Sequence, residues 1–77
     1  MYYEIMRTTD THNSQTVTLD KAGNKYTICF QYYSEDERIY KSKRFDNLES
    51  AMLVYVKFVD AIATGCYSAA DRASWLA

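Results

Sequence analysis

KYTICFQYY, residues 25–33, decides the fold. Its side chains alternate: Tyr26, Ile28, Phe30 and Tyr32 share one side of an extended chain, and Thr27, Cys29, Gln31 and Tyr33 share the other. Period-two alternation of aromatic and β-branched residues is the pattern of a strand with one face in a core. Such a strand needs neighbours and a covering layer, because an isolated hairpin is only marginally stable in water. The flanking residues supply both.

Downstream, Ser34 to Glu37 turns the chain, and RIYKSKRF at residues 38–45 returns as the second arm of a hairpin. Ile39 and Phe45 have one parity and Tyr40 the other, which strict alternation does not bury together. A bulge near Ser42 or Lys43 is expected to reconcile them. Upstream, turn-forming segments at residues 10–15 and 20–24 bracket a short strand, Thr16 to Leu19, that places Val17 and Leu19 on one face. Tyr2 to Thr8 reads as a further strand.

Beyond the hairpin, Asp46 followed by Glu49 reads as a capping box, so a helix should run from about Asn47 to Thr64 and stop at Gly65. Leu48, Met52, Tyr55, Phe58 or Val59, and Ile62 form the stripe expected to pack on the sheet. Leu53, Val54, Val56 and Ala61 widen the apolar surface beyond that stripe. Ser68 with Asp71 opens a second, short helix, which should fold Trp75 and Leu76 onto the flank of the first. The expected fold is α+β: one domain over residues 1–77, an antiparallel three- to four-stranded sheet packed on one long helix, with a short C-terminal helix.

A chain of 77 residues buries about 60% of its unfolded surface, which allows one thin core. Nine Lys and Arg against ten Asp and Glu leave a net charge of −1, so any electrostatic recognition must be local. The first ten residues lack the basic and apolar regions of a signal peptide, and the longest apolar run, Met52 to Val56, is five residues. The cytoplasm is the expected compartment, with no membrane partner.

Catalytic chemistry finds no support in the pattern. His12 is the single histidine and sits in a polar turn. Glu35, Asp36 and Glu37 are consecutive and lack the spaced oxygens of a calcium loop. Cys29 and Cys66 have no metal-ligand spacing, and Gly23 and Gly65 stand alone. No catalytic residue, metal or cofactor is expected.

Arg38, Lys41, Lys43 and Arg44 place four cations in seven residues, with Tyr40 among them. Cations on a strand protect an exposed edge from pairing with other chains. They also serve recognition, and eight tyrosines exceed what a thin core hides. Tyr33, Arg38, Tyr40, Lys43 and Arg44 are therefore the candidate partner-binding surface. Leu53, Val54, Val56 and Trp75 are the candidate surface for a homodimer.

KYTICFQYY, ERIYKSKRF and DNLESAMLVYVKFVDAIATG together resemble, in length, element order and lack of catalytic residues, the small inhibitor proteins of phages and mobile elements, anti-CRISPR proteins among them. That resemblance implies a non-enzymatic inhibitor that binds a protein partner, a CRISPR-Cas effector subunit in a bacterial host cell. The hairpin followed by a helix is also similar to the arm-type DNA-binding domains of phage integrases. The alternative it implies is a small nucleic-acid-binding module that uses the basic, tyrosine-containing strand.

Overall fold

The structure, a computed structural model, describes residues 2–77, with side chains from Tyr3 onward. Four strands, β1 (Tyr2–Asp10), β2 (Gln15–Ala22), β3 (Lys25–Tyr33) and β4 (Arg38–Phe45), form an antiparallel sheet in the order β1-β2-β3-β4. Helix α1 (Leu48–Thr64) and helix α2 (Ala69–Ser74) follow. The fold is the α+β arrangement expected from the sequence, with the sheet at its full four strands.

Local chemistry fixes the meander. Gly23, at φ 62°, opens the two-residue turn between paired Ala22 and Lys25, a position where a tight hairpin calls for positive φ. At the β1–β2 turn, Asp10 accepts from the Asn13 backbone N–H and side-chain amide at 3.3 and 2.8 Å. That bonding holds the Asp10 carboxyl below its usual range, the Asn13 side chain contributing most. Ser34 closes the β3–β4 turn through its own N–H and hydroxyl to Glu37.

Cross-strand register sorts the faces. Val17 lies opposite Phe30 and Leu19 opposite Ile28, and all four are fully buried. Onto them α1 sets Ala51, Tyr55 and Phe58, α2 adds Ala69 and Ala73, and the residues after α2 add Leu76. Phe30 meets Phe58 at 5.2 Å, and Trp75 meets Phe58 edge-on at 5.1 Å. The tail therefore folds back as expected. Tyr55 also spans the layers, its hydroxyl 2.7 Å from that of Thr8 on β1.

Three local expectations need correction. The β3–β4 register is unbroken from Tyr26↔Phe45 to Tyr33↔Arg38, so there is no bulge near Ser42 or Lys43. Ile39 and Phe45 pack on the helix side, Tyr40 faces the other way, and an edge strand tolerates Lys41 and Lys43 between them because their chains reach solvent. The register shift lies instead in β1, between Glu4 and Met6. The N-cap of α1 is Asn47, whose side chain accepts from Ser50 N–H at 2.8 Å, while Asp46 pairs with Lys25 and its carboxyl is thereby held below the usual range. Finally, Ala61 belongs to the buried stripe with Ala51, Tyr55 and Phe58, whereas Leu48, Met52 and Ile62 flank it. Gly65, at φ 71°, ends α1 as expected.

Candidate functional site

Both helices pack on one side of the sheet, which leaves the other side bare. Residues directly opposite one another on paired strands point to the same face. On that rule the bare face carries Arg7, Thr18, Cys29 and Ser42 in one row, with Glu4, Asp20, Thr27 and Arg44 on one side and Thr16, Gln31 and Tyr40 on the other. Tyr33 and Arg38 close it at the hairpin end.

A shallow groove of about 240 Å³ runs across this face, lined by Glu4, Arg7, Asp20, Cys29, Gln31 and Tyr40 among others. No helix covers Asp20 or Cys29, yet they are only 5% and 9% exposed. The Thr18 hydroxyl donates to Asp20 Oδ2 at 3.5 Å. The Tyr40 hydroxyl donates to the Cys29 sulfur at 3.6 Å, and this bond, with the Cys29 charge and burial behind it, raises the phenol above its usual pKa. Tyr40 therefore stays a neutral donor. Arg7 is tied to Glu4 at 2.7 Å, which raises its pKa, the hydrogen bond contributing first and the charge second. Arg38 stacks its guanidinium over the Tyr33 ring, 4.9 Å from the centroid.

Of the five residues expected to bind a partner, Tyr33, Arg38, Tyr40 and Arg44 share the bare face. Lys43 stands opposite Ile28 on the helix side, its ammonium 5.6 Å from the Phe45 ring centre. Tyr33 and Tyr40 are 56% and 61% exposed, so these tyrosines are not core. Of the residues expected for self-association, Leu53 and Val56 are exposed on the outer side of α1, while Val54 packs partly against the core. Trp75 is engaged with Phe58, Tyr67 and the Lys57 ammonium.

A second concavity, of about 490 Å³, lies at the end of the sheet between the β1–β2 turn, the end of β3 and the α1–α2 connection. His12, Ser14, Tyr32, Tyr33, Tyr67, Ser68 and the buried Arg72 line it. No local sequence pattern marks this assembly, because its members are far apart along the chain. One signal was available: Arg72 falls on the helical stripe of Ala69, Ala73 and Leu76, so its periodicity marks it as an inward-facing cation.

Among the described residues no group of three His, Cys, Asp or Glu side chains converges as a metal site, and no helix is long and apolar enough to cross a membrane. Comparison of the chain with protein-family models, with curated proteins and with solved structures returns no match.

Proposed function

We propose that the chain is a non-enzymatic protein-binding inhibitor that docks through the bare face of its sheet. The observation that carries this reading is the uncovered face with Tyr33 and Tyr40 exposed on it and Arg38 held over Tyr33. Tyrosine and arginine are the side chains enriched among residues that dominate binding energy. A tyrosine anchored by a hydrogen bond, as Tyr40 is to Cys29, loses less freedom on docking than a free one.

Size sets a requirement. Four strands of eight or nine residues project a face of on the order of 500 Å², from strand spacing near 4.8 Å and a rise near 3.3 Å. A standard interface takes roughly 800 Å² from each partner. The β3–β4 hairpin and the rim at Arg38 and Arg44 must therefore take part. Occupying a partner's surface over that area blocks it stoichiometrically. The architectural resemblance to anti-CRISPR proteins makes a CRISPR-Cas effector subunit the partner to test first.

Charge distribution favours a protein over a nucleic acid. Glu4 and Asp20 share the bare face with Arg7, Arg38 and Arg44, and Lys41 and Lys43 point to the other side. That mixture suits a polar protein surface better than a row of phosphates.

The deciding experiment captures partners from a bacterial lysate with tagged wild type and with the double variant Arg38→Glu/Arg44→Glu, followed by mass spectrometry and circular dichroism. Wild type should recover a protein in stoichiometric amount, and the variant should fold normally and lose it. Equal recovery by both removes this face as the interface. Oligonucleotide binding that collapses between low and moderate salt would instead establish the nucleic-acid reading.

A further inference from the structure

The cleft at the end of the sheet has a volume of about 490 Å³, within the roughly 300–1,000 Å³ range of small-molecule sites. Arg72 forms part of its wall while only 2% exposed. Its guanidinium donates from Nε and Nη2 to the Cys66 carbonyl, from Nη2 to the Ala61 carbonyl and from Nη1 to Gln15 Oε1. All these acceptors are neutral. Among the described residues Asp10 feels the Arg72 charge, but both of its oxygens accept from Asn13. A buried cation is thus held by dipoles, without a carboxylate bonded to it, beside open space.

Five N–H groups make up a guanidinium, and the hydrogen bonds described account for four, leaving a second hydrogen on Nη1. Other donors line the same space. The Ser68 hydroxyl accepts from Asp71 N–H, which leaves its own proton to give, and His12 and the hydroxyl-bearing Tyr32 and Tyr33 stand nearby.

Backbone geometry supplies an independent observation. Among the described residues the non-glycine positions at positive φ are Ser14 (52°) and Tyr67 (70°), and both line this cleft. The left-handed region is uncommon for a bulky side chain, and conformations of this kind cluster at ligand sites.

We infer that this cleft binds a small organic anion, a carboxylate or phosphate on a flat apolar body, with the anionic group toward Arg72 and Ser68 and the body against Tyr32. The inference goes beyond the protein-binding reading and does not rest on it. Its residues lie at the end of the sheet, and its test reads small-molecule binding alone.

The test is an amide NMR titration of the full chain with phenyl phosphate, benzoate and, as the neutral probe, benzyl alcohol. At least one anion should give saturable shifts at residues 12–15, 32–34 and 65–69, in roughly the millimolar range expected of so small a ligand. The stronger anion identifies the group as phosphate or carboxylate. Ser14→Asp places a negative charge at the mouth on a residue type that tolerates left-handed φ, and should weaken binding about tenfold or more. Ser14→Asn, neutral and of the same shape as the aspartate, should weaken binding less than Ser14→Asp. No saturable shift with either anion, an equal response to benzyl alcohol, or equal loss in the Asp and Asn variants would overturn the inference.

Discussion

The two faces of the sheet are built from the same strands, residue by alternate residue, and they do opposite work. On the helix side, Val17, Leu19, Ile28 and Phe30 are fully buried beneath Tyr55 and Phe58. On the bare side their immediate neighbours, Thr16, Thr18, Thr27, Cys29 and Gln31, are polar or small, and the exposed rim belongs to Tyr33, Arg38, Tyr40 and Arg44. The lesson is one of separation. A thin core confines stability to one face and leaves the other free to carry chemistry that folding does not need.

The severest test of that separation removes a ring from the covered face. Phe58→Ala should cost about 3–5 kcal/mol, a large fraction of what a small domain possesses. Urea denaturation should show a variant largely unfolded or with a sharply lowered midpoint. Next comes Arg72, which ties the end of α1 to β2. Arg72→Met takes the guanidinium donors from the Cys66 carbonyl and from Gln15 and should cost about 3 kcal/mol, at 1–3 kcal/mol per buried group lost. A loss under 1 kcal/mol in the same denaturation assay would make the guanidinium incidental to the fold.

A smaller effect is expected at the bridge between α1 and β1. Tyr55→Phe deletes the contact with Thr8 and should cost about 1 kcal/mol. On the bare face, Tyr33→Ala should stay within about 0.5 kcal/mol of wild type while weakening partner binding. A stability loss there as large as at Phe58 would break the comparison, because it would make both faces structural.

The smallest effect is in acid. Asp46, paired with Lys25, has its pKa lowered in the folded chain, so the pair's contribution is present above the unfolded value of 3.8 and lost as pH falls below it. Asp46→Asn should therefore flatten the stability profile only below about pH 4. A difference between variant and wild type that grows above neutral pH would contradict this sign.

Much of the architecture was legible because it is local. The boundaries of β3 and β4, the end of α1 at Gly65 and the Ser68 cap follow from alternation, glycine conformation and side-chain capping. Where structure and sequence expectation differ, two local solutions compete. Asp46 and Asn47 are both good caps, and the choice fell to Asn47 because Lys25, distant in sequence, takes Asp46. The bulge in β4 was expected on the assumption that every apolar residue must be buried together, a demand that an edge strand does not impose. Of the candidate interface, four of five residues came together because strand parity is a sequence property, and Lys43 separates by the same parity.

By itself the sequence determined the element order, the alternation that makes one face apolar and the other polar, and the lack of a local catalytic or metal-ligand motif. Only the tertiary structure decided that both helices lie on one face, that Tyr3, Tyr33, Tyr40 and Tyr67 stay exposed, and that Arg72 ends buried on Gln15 in the wall of a cleft that His12 and Ser68 also line. The physical reason is range. Periodicity and capping act over a few residues of chain, whereas the bare face and the cleft are made by contacts that span most of its length, such as Gln15 with Arg72 and Thr8 with Tyr55.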